Sequence, residues 1–386
     1  MTSLMNDEKI FNVTKKIYFL MGPQCNMCCR HCSQTPIKAG EKIEHNVSQK
    51  VWDFFDNYVS YAIKKNDVCR TIIFWGGEPL LHWDFIKDTV LRYTEKFHLL
   101  EVPKNRFMFT LVTNGLLLTE DKIEFMKKYR IKPSFSYDAP NPWAVRGKVS
   151  DKICTMLRDS GINYSTISTF NGINCDYYLA ARCMRKKFPK VRHCFNFALL
   201  HLFKEMPEDI LTYDWDEIRK NVKKLRIAAA LGDLDAGMMI VHLMWPLRYP
   251  NDCKTFRTHF VKACFSGSTN FSITMDGKIV TCHNSEDVVG TLDDSAEDIW
   301  NRSLASYKAK GSPECKDCEH NDLCIGNCPF SVRDEQGRYV SCQQYRIPFF
   351  AIFKEEMRKL KSPVTEEEKK WFEEECRKDD AIVEAF

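Results

Sequence analysis

Four cysteines fall within eight residues, at positions 25, 28, 29 and 32, and seven more lie between Cys264 and Cys342. Thiols at that density are either oxidised to bridges or held by metal. Met1 to Ile10 carries Asp7 and Glu8 and shows no basic stretch followed by an apolar one, so no export signal is visible. A disulfide scaffold is therefore not the expectation; reduced thiols serving a metal or a cluster are. Cys69, Cys154, Cys175, Cys183, Cys194 and Cys376 stand singly, and a lone cysteine reads as a small buried hydrophobe.

The rest of the chain must fold around those thiols. At 386 residues it suits two domains, or one large α/β domain with a smaller module. A hydrophobic content of 44% and a charged content of 28% are those of a globular protein. No apolar run approaches the roughly 18–20 residues that span a bilayer. A net charge of +4 demands neither nucleic acid nor an anionic membrane as partner, and Lys64-Lys65 and Arg185-Lys186-Lys187 read as solvated helix faces.

Over the first 230 or so residues, β-like runs alternate with helical spacing. Strands are predicted at 16–21, 71–75, 107–112, 132–137, 164–169 and 191–201. Helices are predicted at 47–64, 83–97, 120–129, 150–159, 177–187 and 214–231, with Thr119 and Ser150 as candidate caps. Six βα units imply a parallel sheet with helices outside it, as a partial barrel or a doubly wound sheet. Either places ligands at the C-terminal ends of the strands. The first cysteine group comes after strand one, Gly76-Gly77-Glu78 after strand two and Asn114 after strand three. From about residue 236 the βα rhythm stops. Residues 271–274 and 278–281 read as a hairpin on an Asp276-Gly277 turn. The tail after Phe349 is charged and helical, with a Ser362-Pro363 break and a Thr365/Glu368 capping box. The division expected is 1–235, 236–347 and 348–386.

Cys25, Cys29 and Cys32 form C-x3-C-x2-C. Three thiolates on one loop can hold three irons of a 4Fe–4S cluster and leave the fourth open to chemistry. Zinc is the alternative and would need His31 or Cys28 as fourth ligand, crowded onto the same loop. Placed directly after a first strand, the spacing resembles the signature of the radical S-adenosylmethionine (SAM) superfamily. The resemblance implies a partial (β/α)6 TIM-like barrel in which the open iron chelates SAM. SAM is then cleaved reductively to a 5′-deoxyadenosyl radical that removes a substrate hydrogen. His31 takes the place of an aromatic residue packing by the adenine, and Cys28 falls where the family has no ligand. Gly76-Gly77-Glu78-Pro79 resembles the motif that binds the SAM ammonium through a carboxylate and backbone carbonyls, with the glycines letting backbone approach a ligand closely. On that reading Glu78→Ala weakens SAM binding and spares iron content. Ser136 and Asp138 resemble the ribose contacts, and Arg146 the partner of the SAM carboxylate. Asn114, Thr166 and Ser168 are further candidates.

The later cysteines resemble, in order, those of the SPASM domain: Cys264-x12-Gly277-x4-Cys282, then Cys315-x2-Cys318-x5-Cys324-x3-Cys328, then Cys342. The resemblance implies two auxiliary 4Fe–4S clusters, hence three in all. The first would be held by Cys264, Cys282 and Cys328, and the second by Cys315, Cys318, Cys324 and Cys342. Gly277 would bring Cys264 and Cys282 together. Cys253 is the candidate for the missing ligand of the first auxiliary cluster. Ligation by it suits electron transfer, whereas an open site suits direct binding of a substrate thiolate.

Together these resemblances imply an enzyme that oxidatively modifies a peptide or protein by a crosslink, thioether or side-chain oxidation. It would work in a reducing cytoplasm, fed by a flavodoxin- or ferredoxin-type donor. The leader-binding domain of many peptide-modifying relatives is not expected before a first strand near Lys16, so a separate protein delivers the leader or the substrate is recognised directly. The alternatives are oxidation or epimerisation of a small molecule and, more remotely, a non-enzymatic zinc or Fe–S protein. Trp75, Tyr137, Trp143 and Trp245 are candidates for pocket walls, with core packing the competing reading.

Overall fold

The computed structural model describes residues 8–32, 46–65, 67–147, 149–189, 191–197, 206–243, 270–280, 282–284, 287–310, 318–320, 334–338 and 342–386, with positions 5, 34, 37–38 and 340 besides. Its main sheet has nine strands among these residues. Strands β1 (Lys16–Leu20), β4 (Arg70–Trp75), β5 (Phe107–Thr113), β6 (Lys132–Ser136), β7 (Ser165–Phe170) and β8 (Arg192–Phe197) are parallel and lie side by side in chain order. Two-residue strands β2 (Gln24–Cys25) and β3 (Ile37–Lys38) pair separately in the loop after β1. Helices Gln49–Lys64, Trp83–Phe97, Glu120–Lys128, Asp151–Asp159, Tyr177–Lys187 and Trp215–Ala230 come after the six parallel strands in turn. The six expected βα units are thus present, as an open, partial barrel.

Period-two alternation decides which face each residue takes. Ile17, Phe19, Ile72, Phe74, Phe109, Leu111 and Phe135 are buried, and their rings meet the helices: Phe19 lies 5.1 Å from Phe55 and Phe109 6.1 Å from Tyr93. The alternate residues Tyr18, Leu20, Trp75, Met108, Thr110, Val112 and Ser134 are only partly buried and line the opposite face. Full burial of one such core side chain stabilises by about 1.5–3 kcal/mol, so this layer holds the sheet's shape.

The expected hairpin forms: β9 (Asn270–Thr274) and β10 (Lys278–Val280) are antiparallel, and Gly277 takes the positive φ of 84° that the turn requires. It does not stand apart, however. β9 runs parallel to β1 in register Tyr18↔Ser272, and β11 (Val288–Thr291) closes that end, so the cysteine-rich region extends the barrel's own sheet. The tail likewise docks on the barrel. Helix Ile347–Arg358 packs on Trp215–Ala230, and helix Glu366–Ala385 on Tyr177–Lys187. Arg226, buried, meets Glu356 at 3.2 Å and Glu368, while Lys224 lies 2.6 Å from both Asp176 and Asp379. The Thr365/Glu368 capping box forms as expected. Thr119 and Ser150 precede their helices but make no capping bond through their side chains; Asp176 and Asp214 do so for theirs. The part of the sixth strand predicted beyond Phe197 lies outside the described residues.

Candidate functional site

The cysteine loop leaves β1 and docks by its backbone on the loop that leaves β4. Met21 N–H donates to the Trp75 carbonyl (2.8 Å), Gly77 N–H to Gly22 (3.0 Å) and Glu78 N–H to Gln24 (2.7 Å). This contact explains the two glycines. A Cβ on Gly76 would sit 2.5 Å from the Gly22 carbonyl oxygen, and one on Gly77 2.1 Å from that of Gln24. The close approach they permit is to the cysteine loop itself, where the sequence suggested a ligand.

Cys25, Cys29 and Cys32 are half-buried and Cys28 is exposed. Cys25 Sγ receives N–H groups from Met27 (3.4 Å) and the Asn114 side chain (4.0 Å). Burial pushes the Cys25 thiol up, and the Cys29 thiol up to about 11; the neighbouring thiols add to both shifts, and Arg146 opposes the second. Iron binding would need these thiols deprotonated and would displace their protons. Among the described residues no three His, Cys, Asp or Glu side chains converge on one ion-sized point. The loop's far side is fixed by Arg30, whose N–H donates to Val145 (2.8 Å), whose Nη1 donates to Ala144 (3.4 Å) and whose guanidinium pairs with Asp209.

Glu78 is 1% exposed. Its Oε1 accepts from Leu80 N–H (3.0 Å) and Thr113 Oγ1 (2.7 Å), and its Oε2 from Asn114 N–H (2.7 Å). Burial raises its pKa against the pull of those three donors. The carboxylate thus fastens the end of β4 to the end of β5. Asn114, so held, donates from Nδ2 to Asn26 Oδ1 (2.8 Å) and accepts from Leu116 N–H (2.9 Å), which ties β5 to the cysteine loop.

Asp138 is fully buried. Its Oδ1 accepts from Thr169 N–H (2.6 Å); its Oδ2 lies 2.5 Å from Arg146 Nε and 3.5 Å from His31 Nε2. Arg146 Nη1 donates in turn to Cys29 Sγ at 3.9 Å. The residues expected on the ribose and on the SAM carboxylate are therefore paired with each other, because a carboxylate out of reach of water needs a cation. Ser136 closes β6 on the face that carries Ser134, at the same end of the sheet.

Two candidates face elsewhere. In register, Thr166 pairs with Phe135 and His193, so it shares the helix-facing side with the Phe135 ring, which meets Phe188 at 5.8 Å. Thr166 Oγ1 bonds His193 Nδ1 (2.7 Å), and Ser168 Oγ donates to the Tyr137 carbonyl (2.5 Å). Both side chains are thus engaged with the layer beneath the helices. Tyr137 is core, with its ring against Phe135, Phe188 and Phe386. Trp75 does line the inner face. The spacing of the sequence did not reveal its neighbours. His283 stacks on Tyr18 at 4.3 Å and meets Trp75 edge-on at 4.4 Å, and burial pulls His283 down to about 4. Its position after Cys282 was the only local signal; the rest depends on β9 lying beside β1. Of the later cysteines, Cys282 is buried and accepts from Asn284 N–H (3.4 Å), and Cys318 and Cys342 are half-buried. Cys253, Cys264, Cys315, Cys324, Cys328 and Trp245, and the side chain of Trp143, lie outside the described residues.

Residues 19–179 match the family model of the radical SAM superfamily, and residues 264–319 that of SPASM, an iron–sulfur cluster-binding domain. The chain carries a radical SAM domain followed by a SPASM domain. This radical SAM protein is 22% identical over 360 residues to the radical SAM cyclopropyl synthase TigE of Paramaledivibacter caminithermalis, covering 86% of this chain and 72% of TigE. Over 161 residues, 40% of this chain and 35% of the relative, it is 27% identical to L-lysine 2,3-aminomutase of Methanococcus maripaludis. The solved structure of anSMEcpe with bound AdoMet aligns with a TM-score of 0.63 at 16% identity, covering 89% of this chain and 99% of that one. Streptococcus suis SuiB bound to S-adenosylmethionine aligns with a TM-score of 0.52 at 15% identity, covering 87% and 79%. These two likenesses show the fold. SAM and a 4Fe–4S cluster are the cofactors of the superfamily, and auxiliary iron–sulfur clusters those of the SPASM domain. The trio of thiols, the docked glycine loop and an adjacent cation fit the first cluster. Among the described residues no helix is long and apolar enough to cross a membrane.

Proposed function

We propose that this radical SAM enzyme oxidatively modifies a peptide or protein. The observation that carries the proposal is the joining of two cluster-bearing regions in one sheet. The Cys25–Cys32 loop leaves the end of β1, and Cys282 comes just after the hairpin paired with that same strand. When bound, SAM and its cluster supply hydrogen-atom abstraction. The chain's own residues do the rest. Cys25, Cys29 and Cys32 would hold the cluster that binds SAM. The Gly76-Gly77-Glu78 turn positions that loop at the strand ends, where it offers a carbonyl edge to the SAM ammonium. His31 and Ser136 stand on the same side for the nucleoside. Holding reactants in a closed site, away from water, is the protein's share of radical chemistry.

Cys264, Cys282 and Cys328, with Cys253 as the added ligand, and Cys315, Cys318, Cys324 and Cys342 would hold two auxiliary clusters. Such clusters would supply an acceptor for the electron that a substrate radical releases on oxidation. The peptide reading draws support from relatives of like fold, anSMEcpe with a Kp18Cys peptide and SuiB with the precursor peptide SuiA. The likeness to the aminomutase covers only 40% of the chain, so it reports the shared barrel and carries no substrate.

The test is anaerobic. Reconstituted, reduced protein is expected to release 5′-deoxyadenosine from SAM, and a cognate peptide to lose two hydrogens by mass spectrometry. No 5′-deoxyadenosine from protein with its full iron would reject the enzyme. Turnover of a small amine or sugar with every peptide inert would move the substrate to the small-molecule class.

A further inference from the structure

The Arg146 guanidinium lies between a cysteine of the first loop and a buried carboxylate. Nη1 lies 3.9 Å from Cys29 Sγ and Nε 2.5 Å from Asp138 Oδ2. Asp138 is fully buried and anchored at its other oxygen by Thr169 N–H at 2.6 Å. A short relay therefore runs from the end of β7, through a carboxylate after β6, to a cation on one cluster thiol. Cys25 by contrast receives neutral donors, the Met27 amide and the Asn114 side chain. The Arg146 side chain is 12% exposed, so water screens its field weakly.

We propose that Arg146 and Asp138 are positioning residues that set the reduction potential of the cluster on Cys25, Cys29 and Cys32, the cation favouring its reduced state and the carboxylate moderating the cation. The inference rests on the cluster assignment made above. Reduction adds one electron to that cluster, and so one negative charge. The electron comes from dithionite in the test tube, or from a low-potential one-electron donor in turnover, and no bond is made or broken. A positive charge and an N–H donor at a ligand sulfur both raise the potential; a buried negative charge lowers it. The two residues must then act in opposite directions, which a purely architectural pair would not do.

The experiment is an EPR-monitored redox titration of the reconstituted full-length protein. It tracks the reduced-cluster signal that changes when SAM is added, with iron content and SAM affinity measured alongside. Arg146→Gln is expected to shift the midpoint down and Asp138→Asn to shift it up, both at wild-type iron content. Shifts of the same sign, or none, overturn the proposal. So does weakened SAM binding in Arg146→Gln with an unmoved midpoint, which would return Arg146 to the SAM carboxylate. If Arg146→Gln fails to hold iron, Asp138→Asn decides alone: an upward shift supports the proposal, and no shift or a downward one rejects it. A wild-type protein without any SAM-responsive signal would instead reject the cluster assignment, so the two failures are told apart.

Discussion

Gly77 and Glu78 show how much one side chain decides. An added Cβ at residue 77 would lie 2.1 Å from the Gln24 carbonyl, a backbone atom that cannot swing aside. Gly77→Ala is therefore expected to push the cysteine loop off its seat, so that iron per protein falls well below wild type while the far-ultraviolet circular dichroism of the barrel persists. Undiminished iron would refute the docking role. Glu78→Gln keeps the shape but turns an N–H2 toward donors at Leu80, Thr113 or Asn114. Leaving a buried partner unsatisfied costs about 1–3 kcal/mol, so the midpoint of denaturant unfolding should drop accordingly. Because Glu78 also fastens Asn114 beside Cys25, iron content should fall with it. The motif alone pointed to lost SAM affinity with iron spared, and iron assay beside SAM titration separates the two outcomes. The motif was legible because its residues are adjacent; the partners of Glu78 were not, since Thr113 and Asn114 come from the next strand.

Helix Glu366–Ala385 lies on the barrel through Phe372, Cys376 and Val383 and through a set of ion pairs. Glu368 sits below the ordinary glutamate value of 4.5 because Arg226 hydrogen-bonds it. Burial works against Glu375, but hydrogen bonds from Lys220 and Lys378 outweigh it and hold that pKa down as well. A carboxylate whose pKa is depressed on folding contributes stability above its unfolded pKa, and that contribution is lost as pH falls through the folded value. These two carboxylates should accordingly hold the helix unchanged from neutrality down to about pH 5 and loosen it below about pH 4.5, while Asp379, pushed up by burial, works in the opposite sense. Hydrogen exchange of residues 366–385 at stepped pH reads it directly; protection that is flat through the acid range would count against the ion pairs. The helix and its capping box were visible in the charge pattern, whereas its seat on Arg226 and Lys224 lies more than 140 residues away in the chain and was not.

For the whole molecule the decisive contact is β1 with β9, two strands about 250 residues apart that share five register pairs. Ile273, on β9, is fully buried. Ile273→Lys is expected to destabilise the barrel along with the hairpin, with tryptophan fluorescence and far-ultraviolet circular dichroism moving together in urea. A hairpin transition with an undisturbed barrel would mean two independent units. The sequence by itself determined the cysteine spacings, the order of six strands and six helices, and the turn at Gly277, because periodicity and spacing are local properties of a chain. Only the tertiary structure decided that Thr166 and Ser168 look toward the helices, that Arg146 pairs with Asp138 beside Cys29, and that the hairpin joins β1. Those outcomes depend on strand register and on which buried charges meet, and both are settled by contacts between residues remote in sequence.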